Sequence, residues 1–268
     1  MSSLSRGLSF TEYATNIIIM NNLVCVCTPT YNRRFSLEFS VECYKKQSYK
    51  NMHWIIVDNS TSDDNSWKDI QQVEGIQVTY IRIIEKKPIG YLRNVCLEEA
   101  RKINPEFIAF WDDDDFYPPQ RIEKSVQALQ KSPGHQIIGV DIMTVFLSHE
   151  NVLLNVGPYG PNHSTAACYL FRNNADTQAR YFEANAVKAE EGAFTRDWTM
   201  PMLMLPADDI LLVIGHANNT VNKSNIFADP KKYGARILNS DNAKNIVRFN
   251  WIKDPSTWKV FCKTFLGA

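Results

Sequence analysis

The chain has 268 residues, enough for one large domain with appendages, and 44% of them are apolar, ample for a core. Lys+Arg and Asp+Glu both number 29, so the formal net charge is zero and the overall basic excess of a nucleic-acid-binding domain is absent. No run approaches the ~20 apolar residues of a membrane span, and residues 1–22 lack a signal peptide's basic start and continuous apolar stretch. A soluble, cytoplasmic chain is expected.

Leu23 to Thr28 is an apolar, β-branched run that reads as a strand, closed by the turn signal Pro29-Thr30-Tyr31-Asn32. Arg33 to Gln47 reads as a helix, Met52 to Val57 as a second strand ending at Asp58-Asn59-Ser60, and Ile76 to Ile84 as a third. Gly90 to Ile103 has Leu92, Cys96, Leu97 and Ala100 on one helical side. Phe107 to Trp111 is a fourth strand that runs into four aspartates. Pro118-Pro119 opens a helix to about Gln130. Strands follow at Gln136 to Leu147, Val152 to Val156 and Ala166 to Phe171, the first two forming a possible hairpin. A helix over Ala184 to Trp198, a strand over Ile210 to Ile214 and a terminal helix over Pro255 to Phe265 complete the reading. The six cysteines are expected as buried thiols in a reducing compartment. Cys25 and Cys27 are placed on opposite faces of a strand and so excluded as a shared metal site.

Strands alternating with helices imply βαβ units, hence an α/β fold with a mostly parallel central sheet flanked by helices. Ligands of such sheets bind at the carboxyl ends of strands. Three polar clusters fall there: Thr28 to Arg33, Asp58 to Ser60, and Asp112 to Asp115. Four adjacent carboxylates repel one another, and solvent or a cation must offset that repulsion. Mg²⁺ or Mn²⁺ takes one or two carboxylates plus substrate phosphates. The bland alternative is a solvated turn capping the next helix.

Val24-Cys-Val-Cys-Thr-Pro-Thr-Tyr-Asn-Arg33, Trp54-Ile-Ile-Val-Asp-Asn-Ser60, Gly90-Tyr-Leu-Arg-Asn94 and Phe107-Ile-Ala-Phe-Trp-Asp-Asp-Asp-Asp115 occur in this order. Together they resemble the nucleotide-binding half of the family 2 glycosyltransferases of GT-A fold, closely over residues 23–131 and in patches beyond. The resemblance implies nucleoside contacts at Thr28, Tyr31 and Arg33, a base contact at Asp58 and a diphosphate contact at Arg93. It also implies an Asp-x-Asp signature that holds ribose and metal. Asp112 and Asp114, with Asp113 close behind, are favoured for it over the shifted pair Asp113 and Asp115. Each residue also has an ordinary structural reading: sheet-edge packing for Tyr31, a turn cap for Asp58, a surface charge for Arg93.

An inverting transfer needs a base for the acceptor hydroxyl. The resemblance implies a carboxylate of the second half, matched in outline by Ala189-Glu-Glu-Gly-Ala-Phe-Thr-Arg-Asp-Trp198. Glu191 is the first choice, Glu190 the second and Asp197 the third, against a salt-bridged surface helix. His216, after the strand ending at Ile214, is a further candidate metal ligand. The expected protein is therefore an inverting transferase using a nucleotide-diphosphate sugar, UDP-sugar foremost, Mn²⁺ or Mg²⁺, and a glycan or other hydroxyl acceptor. A nucleotidyltransferase would want a glycine-rich phosphate loop where Pro-Thr-Tyr-Asn-Arg-Arg stands. A silent nucleotide-binding module is the other alternative. The expected organisation is an extension over 1–22 and a catalytic domain over 23–218, followed by an extension over 219–268 packing on that domain. Within the domain, 23–117 binds nucleotide-sugar and 118–218 supplies acceptor binding and base.

Overall fold

The structure, a computed structural model, describes residues 22–219 and 223–267; the proposed N-terminal extension lies outside these, save Asn22. In chain order, β1 (Val24–Thr30), α1 (Leu37–Lys45), β2 (Met52–Asp58), β3 (Val78–Arg82), α2 (Ile89–Ile103), β4 (Phe107–Phe110) and α3 (Arg121–Lys131) form the first half. There follow β5 (Ile137–Gly139), β6 (Met143–Leu147), β7 (Val152–Val156), β8 (Leu170–Arg172), α4 (Glu191–Thr195), β9 (Met202–Met204), β10 (Leu212–Gly215), β11 (Ala235–Asn239) and α5 (Pro255–Phe261), with shorter turns of helix between.

Seven strands make a sheet of order β3-β2-β1-β4-β8-β5-β9. Only β8 runs against its neighbours β4 and β5, so the sheet is mostly parallel, as the alternation predicts. Strands β1 and β4 are buried throughout, as strands covered on both faces must be, which is why their sequences are continuously apolar rather than alternating. One face packs on α2 through Leu92, Cys96, Leu97 and Ala100, against Cys25, Cys27, Ile55, Val57, Ile108 and Phe110. The other face, with Val24, Val26, Trp54 and Ile56, meets Phe39, Cys43 and Tyr44 of α1 and Ile122, Val126 and Leu129 of α3. Tyr44 stacks on Trp54 with ring centroids 4.4 Å apart.

A second, four-stranded sheet has the order β10-β6-β7-β11. Here β6 and β7 form the expected hairpin, while β5 belongs to the large sheet, so the run Gln136 to Leu147 divides between two sheets. A short turn of helix, Ala207–Ile210, occupies the start of the strand expected over Ile210 to Ile214. Helix α5 and the π-helical turn after it lay Phe261 and Phe265 on Phe39, with centroids 5.8 and 5.2 Å away.

Three further local expectations are corrected. The helix expected from Arg33 starts at Leu37, after a single turn of 3₁₀ helix at Arg34–Ser36. Cys25 and Cys27 lie on the same face of β1, because strand side chains repeat every two residues, and both pack with Cys96; Cys27 Sγ donates to the Cys96 carbonyl at 3.7 Å. The helix over Ala184 to Trp198 shrinks to α4. Ala189, Arg196, Asp197 and Trp198 all have positive φ, a conformation that no α-helix continues through. The Glu190 and Glu191 side chains are both buried in this segment.

Candidate active site

The carboxyl ends of β1 and β4 open into one pocket of ≈ 240 Å³, at the place where parallel sheets bind ligands. Its lining includes Thr30, Tyr31 and Arg33 from the end of β1, Asp112 to Asp114 from the loop after β4, and Arg93 from α2. Glu190, Asn219 and Lys223 come from the second half of the chain.

The four aspartates have separate fates. Asp112 Oδ1 accepts from Arg93 Nη2 at 3.1 Å, and its amide donates to the Tyr117 hydroxyl at 2.7 Å. Asp113 Oδ2 accepts from the Thr30 hydroxyl at 2.5 Å. Asp114 Oδ2 gathers three donors: Arg33 Nη1 at 3.1 Å, His216 Nε2 at 3.0 Å and Asn219 Nδ2 at 3.0 Å. Asp115 points away and accepts the Ile214 amide of β10 at 2.9 Å, so it joins the two sheets. The pocket thus presents Asp112 and Asp114 together, with Asp113 between them, and leaves Asp115 outside.

Crowding shapes their charge. Burial, then the neighbouring Asp114 charge, pushes the Asp113 carboxyl up to about 8. Burial also pushes Asp115 up to about 7. For Asp114, burial acts upward but is outweighed by the His216 hydrogen bond and the Lys223 and Arg33 cations, which hold it below the usual carboxylate range. His216 Nδ1 accepts the Asn218 amide at 3.2 Å, an arrangement that favours the proton on Nε2, 3.0 Å from Asp114 Oδ2.

The motif Gly90-Tyr-Leu-Arg-Asn94 clamps a distant segment. A Cβ at Gly90 would lie 1.9 Å from the Glu183 carbonyl oxygen, so only glycine permits this approach. Asn94 exchanges hydrogen bonds with the backbone of Phe182, accepting at 2.8 Å and donating at 3.0 Å. Arg93 Nε donates to Glu190 Oε1 at 2.6 Å while its Nη2 holds Asp112, so one buried guanidinium ties the acidic loop to the second half. Burial acts against the Arg93 charge, but Asp112, Glu190 and Glu191 outweigh it and raise its pKa. Glu191 faces the other way and accepts the Ala166 amide at 3.0 Å. Burial, followed by the Glu190 charge, raises its pKa. Asp197 is exposed and outside the pocket.

Two nucleoside candidates are also placed outside the lining. Thr28 is fully buried, its hydroxyl accepting the Trp54 indole at 2.9 Å. Asp58 is likewise buried and accepts the Ser60 amide, the Trp67 amide and the Tyr80 hydroxyl at 2.8, 2.6 and 2.9 Å, with Arg82 at 3.2 Å. Trp67 in turn donates its indole hydrogen to the Arg33 carbonyl at 2.7 Å. Sequence reasoning missed Thr30, Asn219 and Lys223. Thr30 carried a signal, standing inside the Thr28 to Arg33 polar cluster; Lys223 carried none.

Residues 25–152 match the profile described as glycosyl transferase family 2. The matched stretch, a little under half of the chain, is similar to the family 2 glycosyltransferases. A relative in Bacillus subtilis, a "putative teichuronic acid biosynthesis glycosyltransferase", is 32% identical over 127 residues, 45% of this chain and 48% of that protein. An Escherichia coli relative named for UDP-Glc:α-D-GlcNAc-diphosphoundecaprenol β-1,3-glucosyltransferase activity is 29% identical over 108 residues, 40% of this chain and 41% of its own. The matches thus span about half the length of these relatives. Among solved structures, S. aureus TarS 1–349 in complex with UDP-GlcNAc superposes over 90% of this chain and 71% of its own, with a TM-score of 0.57 at 14% identity. A Pyrobaculum calidifontis mannosyltransferase in complex with GDP-Man and Mn²⁺ gives 0.58 at 14% identity, over 73% and 58%. This chain has the same GT-A fold. Among the described residues no helix is long and apolar enough to cross a membrane.

Proposed function

We propose that the chain transfers a sugar from a nucleotide-diphosphate sugar, UDP-sugar foremost, to a hydroxyl acceptor with inversion and with help from a divalent cation. One observation carries the reading: Asp112, Asp114, Arg33, Arg93 and Glu190 converge on a single pocket at the strand ends of this GT-A fold. The UDP-Glc in the name of the E. coli relative and the UDP-GlcNAc of the TarS complex support the donor class.

In this reading Tyr31 and Arg33 face the nucleoside end. Asp58 acts there through the turn it holds, since its chain of hydrogen bonds runs by way of Trp67 to the Arg33 backbone. Asp112 and Asp114 are the residues to hold Mn²⁺ or Mg²⁺. Among the described residues no three Asp, Glu, His or Cys side chains form a ready cage, and a two-carboxylate site completed by donor phosphates is what Mg²⁺-like ions use. Burial, then the Asp114 charge, raises the Asp113 carboxyl, and a cation between Asp112 and Asp114 would offset that neighbouring charge. When bound, the ion offsets charge developing on the departing diphosphate. His216 serves as the donor that orients Asp114.

The acceptor oxygen attacks the anomeric carbon as the bond to diphosphate breaks, and its proton passes to a carboxylate. Two neighbours compete for that role. Glu190 lines the pocket, but its Oε1 is taken up by Arg93 Nε at 2.6 Å. Glu191 has the raised pKa that suits general-base work. Glu191 does not itself line the pocket; we assign it the proton on its raised pKa and its place next to Glu190, which positions Arg93.

Calorimetry of UDP with Mn²⁺ tests the donor site. Asp114→Asn should weaken metal-dependent binding by about tenfold or more, and undiminished affinity in both that variant and Asp112→Asn would sink the assignment.

A further inference from the structure

The net charge of zero conceals a division. Residues 223–267 hold nine Lys or Arg against three Asp or Glu, and the residues before them carry the compensating acidic excess. Part of this basic charge gathers on β11, the outer strand of the second sheet. Arg236, Ile237 and Leu238 are consecutive and all exposed, Ile237 by 42% and Leu238 by 40%. The pairing of β11 with β7 is irregular between Ile237 and Asn239, and the three side chains stay exposed there. The turn before it carries Lys231, Lys232 and Tyr233, all exposed, with Lys232 Nζ 5.6 Å from the Tyr233 ring centre. Among the described residues, Lys231, Lys232 and Arg236 have no carboxylate at ion-pair distance.

Charge on an edge strand ordinarily blocks pairing with another chain. Pairing two copies here edge to edge would bring the same cations together. A polyanion such as nucleic acid would use the cations and leave Ile237 and Leu238 unsatisfied. Aliphatic and aromatic side chains set among unpaired cations fit one partner best: the headgroup and acyl boundary of an anionic bilayer. The location suits such a partner. The opposite edge of the same sheet, β10, leads directly to His216 beside Asp114. Three interstrand steps separate the two edges, roughly 14 Å.

We propose that β11 and the Lys231–Tyr233 turn dock this chain on the surface of an anionic lipid bilayer. The inference does not depend on the transfer reaction proposed above. Co-sedimentation with vesicles of phosphatidylcholine alone, and with phosphatidylglycerol admixed, tests it. The chain should pellet with the anionic vesicles only, and less as salt is raised. The Lys231→Glu/Lys232→Glu variant should lose about tenfold or more in affinity, and Ile237→Ser/Leu238→Ser should also bind more weakly. Both should unfold at the wild-type temperature, and Arg236→Gln offers a milder change if either does not. Equal binding to both vesicle types, no binding to either, or variants that bind like wild type would overturn the proposal. So would a dimer by light scattering that Ile237→Ser/Leu238→Ser abolishes.

Discussion

The acidic loop after β4 and the acidic pair before α4 carry the same functional group and are built in opposite ways. Asp112 to Asp115 follow a buried strand directly, so their place at the sheet's carboxyl end is fixed by their neighbours in sequence. Glu190 and Glu191 owe their placement to partners far away: Arg93 for one, the Ala166 amide for the other, with Gly90 admitting the Glu183 backbone. The lesson is that a carboxylate's chemistry follows from the donor that reaches it. Adjacent glutamates diverge because one meets a guanidinium and the other a single amide.

The sharpest way to break that division is Glu191→Gln, which keeps shape and removes the proton acceptor. Turnover should fall by ~10²–10⁴ with donor affinity nearly unchanged, a split that marks a residue acting on chemistry. The wild-type kcat/KM should also fall as pH drops through the Glu191 pKa. A base must be deprotonated and this one is raised, so the acid limb should lie above the ordinary glutamate range. If Glu190→Gln loses turnover instead while Glu191→Gln keeps it, the two roles are exchanged.

Next in size is Arg93→Met. Arg93 and Glu190 are 5% and 4% exposed, so removing the cation strands a buried carboxylate and should cost ~3–5 kcal/mol. Denaturant unfolding measures it, and a loss under 1 kcal/mol would mean that the acidic pair is not held from α2. Asp58→Ala should follow at about 3 kcal/mol, because two amides, a hydroxyl and Arg82 lose their acceptor. UMP affinity measured with chelator present should drop too; unchanged affinity would confine Asp58 to stability. The smallest effect is expected at Asp197→Asn, exposed and remote from the pocket. Stability should move by no more than ~0.5 kcal/mol and turnover should hold, and an inactive variant would return the base role to the segment after α4.

The large sheet and the acidic loop were legible in the sequence because they rest on local signals. Strands buried on both faces must be continuously apolar, glycine must stand where backbones touch, and a carboxylate run at a strand end has few other places to go. Tertiary structure decided the rest. It chose Thr30 over Thr28 for the pocket, since the Trp54 indole already holds the Thr28 hydroxyl. It turned Asp115 out of the pocket lining by giving it to the Ile214 amide. It unwound the helix expected over Ala184 to Trp198 to carry the candidate base, where Ala189, Arg196, Asp197 and Trp198 take positive φ and both glutamates are buried. Local pattern reports which side chains a segment offers; which partner arrives from ninety residues away depends on how the sheets and loops close, and no window of sequence contains that.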